Sequence, residues 1–219
     1  MAVRLWTPTL IWKDQPCYII GGGPSLETFN WDSLRGHRVL GCNVACYHDP
    51  QLVQWVVFGD AGFLDNHRAA LEKYALTGGH VVTNSNRFCK PRLAPVWLKR
   101  MKKLSRGLGL DRLGWNGNTG AVAINLALLL GANPIYLLGY DMQMIKGKAN
   151  YHNAYHTKAN AKAYHRFMKG MGFVSRDLGL IFPGRRVINL EDNTSLLNEF
   201  PKESLLEHFN LVAVGGTHG

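Results

Sequence analysis

CYIIGGGPSL, residues 17–26, decides how the rest of the chain is read. Four apolar residues run into three glycines, a proline and a serine, the pattern of a buried strand that ends in a tight loop and feeds a helical turn. Gly21, Gly22 and Gly23 can take positive φ and let another group approach the backbone closely. Pro24 suits the first position of the turn that Ser25 and Leu26 begin. Such a turn offers backbone N–H groups to an anion, so the three glycines and Ser25 are candidate phosphate ligands. An ordinary strand-to-helix turn has the same composition, and the loop alone does not choose between the two.

Working outward, the chain alternates strands with helices. A short helix is expected over 26–34, a second strand over 38–42 (RVLGC) ending at Asn43, and a third over 54–58 (QWVVF) running into Gly59 and Asp60. An amphipathic helix over 63–74 and a short strand over 80–83 follow. The stretch 115–141, WNGNTGAVAINLALLLGANPIYLLGYD, is the clearest α/β unit. Asn118 or Thr119 caps a helix that Gly131 closes, and Pro134 introduces a strand ending at Gly139. This helix is apolar nearly all round and must be buried against the sheet. Its N-terminus, with Asn118, Thr119 and Gly120, is expected to point into the same crevice as the glycine loop. Further elements are a helix over 158–171, a strand over 186–189 and a helix from Leu196. The fold class is α/β: one Rossmann-like, doubly wound, mainly parallel sheet whose ligands sit beyond the carboxyl ends of the strands.

The 219 residues suffice for one such domain. Residues 1–15 are taken as an N-terminal extension, 16–209 as the nucleotide-binding domain with a lid at about 142–157, and 210–219 as a tail without a role. An apolar content of 46% excludes a disordered chain, and no apolar run reaches the ~20 residues of a membrane span. The first residues lack a secretory signal, which points to the cytoplasm. Cys17, Cys42, Cys46 and Cys89 show no C-x-x-C spacing, so neither disulfide nor zinc is expected. The formal charge of +10 favours a polyanionic partner: a nucleotide, a phosphorylated acceptor or nucleic acid. Whether the chain forms a homo-oligomer is left open.

Much of that charge lies in 87–112, where Arg87, Lys90, Arg92, Lys99, Arg100, Lys102, Lys103, Arg106 and Arg112 face only Asp111. A solvated surface helix over 96–104 accounts for this segment. Phe88 and Trp97, interleaved with the cations, allow the other reading, stacking against bases. The polar, tyrosine-rich stretch 142–155 reads as a lid. It leads into YHNAYHTK, which packs Tyr151, His152, Tyr155 and His156 into six positions. Acid–base chemistry suits these residues better than metal binding, because no acidic residue stands at the right offset.

The order of these motifs resembles that of the bacterial lipooligosaccharide sialyltransferases and the related MptE-like 6-hydroxymethylpterin diphosphokinases and motility accessory factors. The likeness rests on GGGPSL at residues 21–26, Cys42–Asn43 after the second strand, Thr119–Gly120 ahead of a helix, and Gly139 with Asp141 after a strand. His156, Thr157 and Lys158 resemble the H-[ST]-K segment of the sialyltransferases; Gly22 stands where those often have asparagine. The resemblance implies that His156 is the general base on an acceptor hydroxyl and that Tyr151 and Tyr155 steady the leaving phosphate. It implies that Gly21, Gly22, Gly23, Ser25, Asn43, Asn118, Thr119, Gly120 and Asp141 hold the donor, a CMP-activated sugar, with no cofactor required. The acceptor is a hydroxyl-bearing glycan or nucleic acid. Two alternatives stay open: a diphosphokinase using ATP and Mg²⁺ held by Asp60 and Asp141, and a nucleic-acid-binding or nucleic-acid-modifying protein using 87–112.

Overall fold

The computed structural model describes residues 5–89, 94–154, 161–192 and 194–215. Its centre is an eight-stranded sheet with the order β10-β9-β8-β1-β2-β3-β4-β5, in which every pairing is parallel. The strands are β1 (Cys17–Ile20), β2 (Arg38–Cys42), β3 (Trp55–Phe58), β4 (His80–Thr83) and β5 (Leu98–Arg100), then β8 (Ile135–Leu138), β9 (Val187–Leu190) and β10 (Lys202–Glu203). β6 (Lys102–Leu104) and β7 (Arg112–Gly114) form a separate parallel pair. The chain lays strands outward from β1 in one direction and from β8 in the other. This is the doubly wound arrangement that the alternation of strand and helix implied.

Successive residues of the central strands feed two cores. Cys17, Ile19, Leu40, Cys42 and Val57 face one side with α2 (Thr119–Leu129) and the inner residues of α3 (Ala161–Ile181). Tyr18, Ile20, Val39, Val56 and Phe58 face the other side with α1 (Ala61–Leu76) and the first turn of α4 (Leu205–Gly215). Because both faces are covered, strands such as CYII and WVVF are uniformly apolar instead of alternating. α2 has no polar stripe because it is buried along its length, from Ala121 to Leu130, and Gly131 (φ +92°) ends it in the left-handed region that glycine tolerates.

The structure corrects several sequence expectations. The helix expected over 26–34 is two 3-10 turns, Pro24–Thr28 and Trp31–Leu34, because Asn30 accepts from the Asp32 N–H and starts the second turn afresh. The helix expected over 96–104 is β5 and β6. Leu98 and Met101 are buried in opposite cores, and the Met101 N–H pairs with the Thr83 carbonyl at the open edge of β4. α3 runs ten residues past its expected end. Its Gly170 lies directly against the Asn116 carbonyl, where a larger residue does not fit. No helix starts at Leu196; the last helix is α4, so residues 210–215 are helical and not a tail. Residues 5–15, the described part of the N-terminal extension, pack on the domain: Trp12 is buried against the α2 side of the sheet, and the Trp6 N–H donates to the Arg100 carbonyl.

The basic segment also differs from its expectation. Phe88 is 1% exposed and so is not available to stack on a base, while Trp97 is half-buried against the α1-side core. Arg87 pairs with Asp65, Arg100 donates to the Phe88 carbonyl, and Arg112 pairs with Asp111 at 2.7 Å. Lys90 and Arg92 lie outside the described residues. No helix among the described residues is long and apolar enough to cross a membrane.

Candidate active site

β1 and β8 are neighbours, and the chain leaves their carboxyl ends in opposite directions, which opens a crevice between the two following loops. A cleft of about 540 Å³ occupies it. The loop after β1 (Gly21, Gly22, Gly23), the N-terminus of α2 (Asn118, Thr119, Gly120) and the loop after β8 (Gly139, Tyr140, Asp141) all line it. Asn43 after β2 and Asp60 after β3 line its far side.

Of the two uses read from the sequence, the three glycines serve close approach and not positive φ. None of them takes positive φ; Gly23 sits at φ −66°. They are small so that two strand ends can touch. The Gly21 and Gly23 N–H groups donate to the Leu138 and Gly139 carbonyls, each at 2.8 Å. A Cβ on Gly21 would stand 2.6 Å from the Gly139 oxygen, and one on Gly23 would stand 2.5 Å from Asp141 Oδ2. The anion at the head of the following 3-10 turn is supplied by the chain itself. Asp141, 1% exposed, accepts from the Ser25 N–H (2.8 Å) and the Ser25 hydroxyl (2.6 Å). Burial pushes this carboxyl above the usual range, opposed by the two Ser25 hydrogen bonds. Ser25 and Asp141 thus brace the two loops against each other, and Ser25 does not line the cleft.

The α2 terminus is less committed. Asn118 Oδ1 caps the helix by accepting from the Ala121 N–H at 2.8 Å, which leaves the Asn118 Nδ2 group, buried and without an acceptor, at the cleft wall. Beside it Gly117, at φ +81°, lies against the aliphatic stem of Arg166, which comes from α3. Arg166 and Tyr164 line the cleft and have no counterpart in the sequence reading. Among the described residues Arg166 has no carboxylate partner, so its charge faces the cleft mouth unneutralised. A helix N-terminus, an amide donor and a guanidinium make a setting suited to phosphate.

Residues 148–151, within the stretch read from the sequence as a lid, are pinned from both sides. The Tyr151 N–H donates to the Gly22 carbonyl (3.2 Å), Lys148 pairs with Glu27, and the Tyr164 hydroxyl donates to the Ala149 carbonyl (3.3 Å). The Tyr151 ring packs on Trp31 with centroids 5.4 Å apart and is not among the residues lining the cleft; burial raises its phenol pKa. Its neighbour His152 lines the cleft instead, opposite His67, where α1 departs from helical geometry (φ −125°, ψ 20°). Tyr155 and His156 lie outside the described residues. Asp60 accepts from the Gly62 N–H as the cap of α1 (3.0 Å). Asp141 has both oxygens engaged by Ser25, whereas the exposed Asp60 spends one oxygen on its cap. No group of three His, Cys, Asp or Glu side chains among the described residues is arranged to hold a metal.

His152 gives a pH prediction. Its Nδ1 accepts from the Ala154 N–H (3.2 Å), which requires the neutral ring, and burial followed by the nearby His67 lowers its pKa to about 4. On acidification the unfolded chain binds a proton near pH 6.5 while the folded ring stays neutral, so stability contributed at neutral pH is lost as pH falls from about 6.5 to about 4. After allowance for partial solvent access this amounts to about 1–2 kcal/mol. A His152→Gln variant should show a flatter acid limb in melting temperature against pH. An unchanged limb assigns the loss to His37, His48, His80 and His208, all lowered by burial as well.

Comparison with solved structures places this architecture. Over 98% of its length the chain matches the MAf glycosyltransferase from Magnetospirillum magneticum AMB-1, with a TM-score of 0.63 and 14% sequence identity. The two share a fold. The match covers 38% of the Magnetospirillum chain, so the present sequence spans well under half of that protein. At this identity the likeness carries the architecture. No family model matches the sequence, and no curated protein matches it.

Proposed function

We propose that the protein transfers a sugar from a nucleotide-activated donor to an acceptor hydroxyl. One observation carries this reading: the free amide of Asn118, the α2 N-terminus and Arg166 converge on one side of a cleft at the sheet's switch point. The donor phosphate binds there, and as the bond to the sugar breaks, the charge that develops on the phosphate is met by fixed donors with no metal required. A sugar hydroxyl is a weak nucleophile at neutral pH, and the imidazole of His156 takes its proton. Tyr155 is the hydroxyl assigned to the leaving phosphate; Tyr151, packed on Trp31, is assigned to holding the lid. The fold shared with a glycosyltransferase supports the reading, and the resemblance to sialyltransferases makes CMP the nucleotide of choice.

Thermal shift against CMP, UDP, GDP and ATP, with Mg²⁺ or with EDTA, tests it. CMP should stabilise the protein most, by about 2.7 kcal/mol at a hundredfold excess over Kd, and EDTA should leave the shift unchanged. Asn118→Asp keeps a good helix cap but puts an oxygen in place of the amide, so nucleotide affinity should fall at least tenfold, as in ~1.4 kcal/mol or more, with melting temperature nearly unchanged. A shift seen only with ATP and Mg²⁺ would replace this reading with the diphosphokinase one.

A further inference from the structure

The cations of the 102–117 segment do not act with Phe88 and Trp97, yet they do meet aromatic rings, contributed by other parts of the fold. Lys103 lies over Trp115 (4.8 Å to the ring centre), and Trp115 lines the cleft. Arg106 and Arg176 approach the same ring, Phe173, at 5.4 and 5.6 Å. Arg166, Phe173 and Arg176 follow one another along α3, and Arg166 stands at the cleft mouth. The β6–β7 excursion is fastened to this helix. The Leu108 N–H donates to Asp177 (2.9 Å), and Asn116, which packs on Gly170, holds both the N–H and the carbonyl of Gly107.

Together, residues 102–117 and 161–181 carry eight Lys and Arg against two Asp. Both of those carboxylates are occupied, Asp111 by Arg112 and Asp177 by Arg176 and the Leu108 N–H. Arg166 to Arg176 spans about 15 Å of helix. Lys103, Arg106, Arg166 and Arg176 thus form a run of cations, interleaved with Trp115 and Phe173, that starts at the cleft and follows α3.

We infer that this face binds single-stranded nucleic acid. A duplex or a bilayer needs point charges alone; alternating cations and rings suit a strand whose phosphates and bases both require partners. The inference does not rest on glycosyl transfer, and its test contains no donor, so either can fail without the other.

The test is fluorescence anisotropy with a labelled oligothymidylate of about 15 nucleotides, a length within the range such sites cover. Binding should be measurable at about 50 mM salt and weaken with a log–log slope near −3, about −0.7 for each of four phosphate contacts. The double variant Lys103→Ala/Arg106→Ala should reduce the slope by about 1.4 and weaken binding roughly tenfold. Lys73→Ala, on α1 across the sheet, should change neither. Circular dichroism and melting temperature confirm that each variant is folded. No binding at low salt, equal loss with Lys73→Ala, or equal affinity for the matching duplex or for phosphatidylglycerol vesicles overturns the inference.

Discussion

Replacing Asp141 with alanine should destabilise the protein by about 3 kcal/mol and lower its melting temperature by roughly 6–12 °C. The carboxylate accepts two hydrogen bonds from one residue, Ser25, and no solvent reaches it to replace them. Alanine leaves a buried N–H and a buried hydroxyl without acceptors, and hydrogen bonds to a charged partner are worth about 1.5–3 kcal/mol each. Part of that gain is offset in the native protein by the cost of burying the charge, seen in the raised pKa, which is why the expected loss is less than the sum. Asp141→Asn should fall between: one donor keeps an oxygen, and the other faces an amide that cannot accept. Chemical denaturation at neutral pH measures all three proteins. Equal midpoints for wild type and Asp141→Ala would mean that the brace contributes nothing and that the glycine loop is held by its backbone bonds alone.

On the proposed function, His156→Ala should lower turnover at least ~100-fold while nucleotide binding survives. His152 before it and Tyr164 after it in the chain both line the cleft, so the lid and α3 both border the same space. The separation of effects is the informative part. A base acts on the acceptor proton during the reaction and has no role in holding the nucleotide, so kcat should drop while the thermal shift with CMP stays within the wild-type range. Loss of both would make His156 a folding residue. Unchanged turnover would remove it from the chemistry, and His152, neutral at pH 7 and already in the cleft, would be the imidazole to test next.

Local signals in the sequence located most of the sheet. β1, β2, β4 and β8 are short apolar runs closed by glycine or asparagine, and α2 announces itself with a capping asparagine and a closing glycine; each reads correctly because its cause lies within a few residues. The misreadings have a common cause, a partner far along the chain. Leu98, Met101 and Leu104 stand three apart, which mimics a helix, and only the vacant edge of β4 draws Leu98 and its neighbours into a strand. Ser25 read as a phosphate ligand and Asp141 as a donor-holding or Mg²⁺-binding residue; nothing within either motif shows that they bind each other across 116 residues. Arg166 entered the cleft unforeseen because its position depends on α3 packing against Gly117, about fifty residues earlier, which no periodicity encodes. The meeting of the glycine loop and the α2 N-terminus followed from topology, since any chain that alternates β and α in this way brings those ends together.

The seam between β1 and β8 joins residue 17 to residue 135. A nascent polypeptide halted on the ribosome short of that point already carries its glycine loop, but it has nothing for Gly21 and Gly23 to bond to and no Asp141 for Ser25. Parallel pairing over such a separation is slow, and exposed strand edges invite aggregation in the interval. Residues through Asp141 must therefore have been synthesised before the nucleotide-sized crevice exists at all, because both its wall after β8 and the partner of Ser25 come from that stretch.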